Sequence, residues 1–103
     1  MGEIKHLIIV KFKEGVVVQQ ILEDLTKLAA ELDIIKSFEW GKDIANKEIL
    51  TQGFSHVLVL TFNSAEDLAI YVNHPSHNAF AITFRAAIEK MLLLDYPVVL
   101  AKP

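Results

Sequence analysis

Apolar and polar positions divide the chain into segments of two periods. From Ile4 to Phe12 the period is two: Ile4, His6, Ile8, Val10 and Phe12 share one face, and Leu7 and Ile9 fall on the other between Lys5 and Lys11, which predicts a strand with apolar residues on both sides. Glu14-Gly15 breaks the run, and Val18 to Leu32 takes a helical period. Ile21, Leu22, Leu25, Leu28, Ala29 and Leu32 form its stripe, with Glu23, Asp24, Lys27 and Glu31 largely opposite. A second strand is predicted over Ile34–Trp40, closed by Gly41-Lys42-Asp43, and then a polar loop from Asp43 to Gly53 with one helical turn around Asn46–Leu50.

Phe54–Phe62 is the clearest strand, with Phe54, His56, Leu58, Leu60 and Phe62 on one face and Val57 and Val59 on the other. Asn63 or Ser64 caps the next helix, whose first turn carries Glu66 and Asp67; it buries Leu68 and Tyr71 and ends near Asn73. Pro75 suits the first position of a third helix, in which Phe80, Phe84, Ala87, Ile88 and Met91 make the buried stripe. The last strand, Leu92–Leu100, is interrupted at Pro97, which puts that end at a sheet edge or at the point where it leaves the sheet.

This order predicts an α+β chain: a ferredoxin-like α/β sandwich with a four-stranded antiparallel sheet and helices on one face, as a single domain over 1–103. Helices can cover only one side of the sheet, yet Leu7, Ile9, Val57 and Val59 point to the other. A sheet apolar on both sides needs a second layer, and the expected one is an identical sheet, giving a homodimeric α/β barrel.

Composition narrows the partners. At 103 residues there is room for one core. Ten basic residues, with Arg85 the sole arginine, against thirteen acidic ones give a net charge of −3, which argues against nucleic acid and against an anionic membrane. The absence of cysteine excludes disulfides, thiolate nucleophiles and Cys-ligated metal. The first residues, Met1 to His6, lack the features of a secretory leader, and His6 stands where a myristoylation signal after Gly2 wants Ser or Thr. The expectation is a soluble, cytoplasmic protein.

Candidate chemistry gathers in Tyr71-Val72-Asn73-His74-Pro75-Ser76-His77. His6 and His56 share the parity of their strands' apolar residues, so all four histidines and Tyr71 can line one pocket between sheet and helices. His77, in the first turn of the third helix, is expected to be held neutral by burial and the positive end of the helix dipole, hence able to accept a proton. Tyr71 carries the complementary donor for a developing oxyanion. The plainer alternative is that His74 caps the helix, His77 is solvated, and His6, His56 and Tyr71 are core residues. His74 and His77 are spaced for zinc only if a third ligand converges; no metal and no cofactor are expected. Trp40 reads as a packing residue.

Six segments, Lys5-His6-Leu7, Lys11-Phe12-Lys13, Phe38 to Asp43, Gly53 to His56, Tyr71 with His74 to His77, and Leu94 to Pro97, resemble in order and spacing the plant stress-responsive dimeric A/B barrel family. The resemblance implies small intracellular homodimers of ferredoxin-like subunits. It includes a polyketide cyclase that closes a linear poly-β-keto thioester by intramolecular aldol condensation without cofactor. On that likeness His77 is the general base, Tyr71 its hydrogen-bonding partner, His6, His56 and His74 support the site, and Ile8, Leu25, Leu58 and Ile88 complete the substrate-binding wall. Leu25 and Ile88 replace aromatic residues of the cyclase, which counts against that enzyme's own substrate. The resemblance thus implies a polyketide cyclase-like protein working beside a type III polyketide synthase. Its alternative is a non-catalytic, heat-stable stress-response homodimer that binds a small apolar ligand.

Overall fold

Alternation along Ile4–Phe12 and the apolar stripe of the following helix direct the first half of the fold, which the computed structural model describes for residues 2–103. In chain order the elements are β1 (Ile4–Phe12), α1 (Val18–Glu31), β2 (Ser37–Lys42), α2 (Glu48–Thr51), β3 (His56–Phe62), α3 (Ala65–Val72), α4 (Pro75–Ala87) and β4 (Ile88–Pro97). The strands form one antiparallel sheet in the order β2-β3-β1-β4. The ferredoxin-like expectation holds.

The helix-facing side of the sheet is the core. His6, Ile8 and Val10 of β1 and His56, Leu58, Leu60 and Phe62 of β3 are buried against Ile21, Leu22, Leu25 and Leu28 of α1, Tyr71 of α3, and Phe84 and Ala87 of α4. The starts of α3 and α4 follow their caps. Ser64 Oγ accepts from the Asp67 amide at 3.1 Å to start α3, and Pro75 opens α4, where its missing N–H costs nothing.

Several boundaries differ from the sequence pattern. β2 starts at Ser37 rather than Ile34 and runs on through Gly41 and Lys42, because these two pair with Val57 and His56; Ile35 instead enters the core from the connection. β3 begins at His56, two residues later than expected, and the predicted turn of helix settles at Glu48–Thr51. The largest change is at the last helix. Ile88 and Met91 continue the helical spacing of Phe84 and Ala87, but α4 stops at Ala87 and both belong to β4, where Ile88 pairs with Phe12 and Met91 with Val10. Pairing with β1 overrides the local period there.

The outer face is left open in a single chain. Across β3, β1 and β4 it carries the rows Val57–Ile9–Leu92, Val59–Leu7–Leu94 and Thr61–Lys5–Tyr96. Leu92 is 53% and Leu94 57% exposed, so β4 extends the apolar patch that the strand patterns foretell.

Candidate active site

Three elements bring His6, Tyr71 and His77 together. His6 sits on the inner face of β1, fixed by pairing with Leu60 on one side and Asp95 on the other. Tyr71, in the last turn of α3, packs edge-on to His6 with ring centres 5.9 Å apart and against Phe62 at 5.2 Å. The tight α3–α4 junction then returns the chain so that His77, third residue of α4, meets the Tyr71 ring at 4.7 Å and 67°. His6 and Tyr71 are buried, while His77 is partly exposed.

Electrostatics separate the roles. Burial pushes the Tyr71 hydroxyl up to about 12, so it remains a proton donor throughout the neutral range. Burial also pulls His77 below its ordinary value; the Asn78 side chain opposes this, and the charges of His6 and Arg85 add to it. At neutral pH His77 is therefore an unprotonated imidazole next to a protonated phenol. His6 Nδ1 lies 2.5 Å from Asp95 Oδ1. The carboxylate accepts from Nδ1–H, which fixes the orientation of the ring and turns Nε2 away from Asp95.

Asp95 was not among the candidates read from the sequence. Its signal was the alternation Met91, Leu93, Asp95 in the last strand, which places a carboxylate on the inner face, but the register that sets it opposite His6 comes only from the sheet. The same alternation shows where the site opens. α3 packs on β1 and β3, while Leu93 and Asp95 of the edge strand remain exposed although their partners Ile8 and His6 are buried. The inner face of β4 beside His6 is therefore left uncovered by the helices.

The remaining candidates divide. The expectation that all four histidines line one pocket does not hold. His56 pairs with Val10, four residues along β1 from His6, or about 13 Å at the rise of a strand. It packs between Phe12 and Trp40 at 5.2 and 6.3 Å, and its Nδ1 is 2.7 Å from Ser55 Oγ. Its burial and the Lys42 charge lower its pKa. Trp40 packs on this ring and is otherwise half exposed. His74 is the N-cap of α4, its Nδ1 accepting from the Ser76 amide at 3.0 Å, which is the plainer reading of that residue.

Ile8 lies next to His6 on the same face and pairs with Leu93 at the opening. Leu25 and Leu58 are 1% and 0% exposed, closed into the core rather than lining free space, and Ile88 lies at the Phe12 end of the sheet, away from His77. Among the described residues no three His, Asp or Glu side chains converge in a way that could hold a metal ion. One space was not foreseen: a cavity of about 540 Å³ on the other side of the sheet, where the 43–55 loop stands over Ile9, Val57 and Leu92.

Comparison with known proteins adds to this geometry. The profile of the stress responsive A/B barrel domain matches residues 4–98. A stress-response A/B barrel domain-containing protein of Arabidopsis thaliana is 43% identical over 98 residues, spanning 95% of this chain and 88% of the relative. Olivetolic acid cyclase of Cannabis sativa is 33% identical over 96 residues, spanning 90% and 94%. Among solved structures, the hydroxynitrile lyase of Passiflora edulis superposes with a TM-score of 0.87 at 25% identity over 99% of this chain and 98% of that one. A protein of Thermobifida fusca described as dimeric and ferredoxin-like superposes at 0.78 with 19% identity, over 95% and 93%.

Proposed function

Because the chain belongs to the stress responsive A/B barrel domain family, we propose that it is a cofactor-free cyclase that closes a linear poly-β-keto thioester or acid by intramolecular aldol condensation. The observation that carries this reading is the contact between Tyr71 and His77, a phenol held protonated against an imidazole held neutral. Likeness to olivetolic acid cyclase at 33% identity supports it, as does the presence of a second enzyme, the hydroxynitrile lyase, among the structures of this fold.

In this mechanism His77 takes a proton from the methylene between two carbonyls, which is acidic enough for a base working near neutrality. The carbanion forms a carbon–carbon bond to a ketone of the same chain, the resulting alkoxide takes back the proton that His77 removed, and loss of water completes the condensation. Tyr71 O–H donates to the oxygen as it becomes negative, and the buried setting strengthens that hydrogen bond. His6, oriented by Asp95 and packed edge-on to Tyr71, supplies a second polar group beside the reacting pair. The substrate enters over Leu93 and Ile8, and the strand face orders its carbonyls so that one pair of carbons meets.

The working unit of this proposal is a homodimer, supported by the apolar outer face and by the dimeric description of the Thermobifida fusca protein of the same fold. A second reading is a non-catalytic stress-response dimer. It is favoured by the closed packing of Leu25 and Leu58 and by the name of the 43% identical relative.

The test is a coupled reaction: purified protein with a type III polyketide synthase making short tri- and tetraketide thioesters, the products compared with those of the synthase alone. The expected result is a new cyclised acid that vanishes with His77→Ala while the dimer stays intact. An unchanged product profile across several starter lengths would move the assignment to the second reading.

A further inference from the structure

The cavity under the 43–55 loop is not part of the histidine–tyrosine site. Its floor is one row of the outer sheet face, Val57, Ile9 and Leu92, and its wall includes Leu50 and Phe54, with Lys42 and Asp43 at the rim. It is thus continuous with the apolar face that a second copy is proposed to cover. Elsewhere the chain has an apolar segment with nothing to bury it: Val99 is 83% and Leu100 73% exposed, just beyond the last bond to the sheet, Val98 N–H to Glu3 O.

We infer that the Val99-Leu100 segment of a second copy of this chain seats in the cavity, so that each subunit of the dimer is clasped by the residues that follow the other's β4. The segment does not fill its own chain's cavity. β4 runs from Leu92 at the cavity to Pro97 opposite Ile4, about 16 Å away at the rise of a strand, and Val99 and Leu100 are exposed beyond it. An isologous pair whose two-fold axis lies between the sheets and across the strands reverses the partner's β4. The Pro97 end of one subunit then lies over the Leu92 end of the other, and the contact occurs twice. Val99 and Leu100 are apolar, matching a floor and wall of Ile9, Leu50, Phe54, Val57 and Leu92. Lys102 follows closely enough to meet Asp43 at the rim.

This inference rests on the dimer proposed above, and its test separates the two. The chain contains no cysteine, so Leu50→Cys and Leu100→Cys each introduce a single thiol, both at exposed positions. The two variants are mixed, allowed to exchange subunits, and treated with a short bismaleimide, with the oligomeric state followed by sedimentation velocity. The expected result is a covalent dimer at least tenfold more abundant in the mixture than with either variant alone. A dimer that yields no such excess overturns the seating while leaving the dimer standing; a monomer at micromolar concentration overturns both. Independently, the double change Val99→Ser and Leu100→Ser should raise the dimer dissociation constant about tenfold or more, and an unchanged constant counts against the clasp.

Discussion

Removing the Tyr71 hydroxyl and nothing else separates catalysis from packing. The Tyr71 side chain is 3% exposed and meets Phe62, His6 and His77 through its ring, all contacts that phenylalanine keeps. Tyr71→Phe therefore removes only a hydroxyl that makes no hydrogen bond among the described residues, so the loss of stability should not exceed about 1 kcal/mol, and the melting temperature should fall by less than about 8 °C for a domain of this size. Tyr71→Ala, by contrast, would open a cavity costing about 3–5 kcal/mol and confuse the two effects. On the rate the hydroxyl matters more. A preorganised donor to a developing oxyanion typically contributes about 10²–10³ in kcat, so cyclised product in the coupled synthase reaction should drop by that factor with little change in KM. The donor role would be refuted by a Tyr71→Phe protein that folds normally and turns over within threefold of the unaltered one.

The lowered pKa of His77 predicts that the acid limb of kcat/KM lies at a lower pH than an ordinary histidine would give, and the raised pKa of Tyr71 that no alkaline loss occurs in the range where an ordinary phenol ionises; an acid limb at or above the ordinary histidine value would exclude His77 as the base. The same shifts act on folding. His56 and His77 both have folded values below their unfolded ones, so the unfolded chain binds more protons in that window; their contribution is complete above the ordinary histidine value and is lost as pH falls through the folded values, which urea titrations at pH 7.5 and 5.5 should register as a lower midpoint in acid. Ser64→Ala removes the cap on the Asp67 amide and should destabilise by about 1 kcal/mol in denaturant titrations without changing the pH–rate profile. Leu94→Asp places a charge in the middle row of the outer face and should give a monomer by sedimentation, whereas a stable dimer from this variant would mean the subunits meet elsewhere.

How much of the molecule its sequence reveals depends on whether the deciding interaction is local. Strand parity put His6, Ile8 and Val10 on one face and Leu7 and Ile9 on the other, and the sheet agrees, because a period of two is a property of each strand alone. Parity says nothing about position along a neighbouring strand. His6 and His56 share the inner face but stand at opposite ends of the β1–β3 ladder, one opposite Leu60 and the other opposite Val10. Pairing register also sets Asp95 against His6, and it takes Ile88 and Met91 from a helix whose spacing they satisfy.

The local reading succeeds at the α3–α4 junction for the same reason. His74, Pro75 and His77 are within four residues, and a capping residue followed by proline fixes where the helix begins and hence that His77 occupies its first turn. Tyr71, three residues before the cap, is carried back onto that turn by the shortness of the connection. The Tyr71–His77 pair proposed for proton transfer is thus written in one short stretch of chain, whereas Asp95, Leu93 and much of the outer face come from β4. A substitution within residues 71–77 should therefore alter the chemistry itself. One in β4 should alter how His6 is held, what can enter over the open strand, or whether the subunits pair. That division can be tested by comparing Asp95→Asn with His77→Ala. Asp95→Asn leaves the Tyr71–His77 contact in place and removes the negative charge that orients His6, so it should reduce turnover yet keep the acid-side pH profile, while His77→Ala removes that profile altogether.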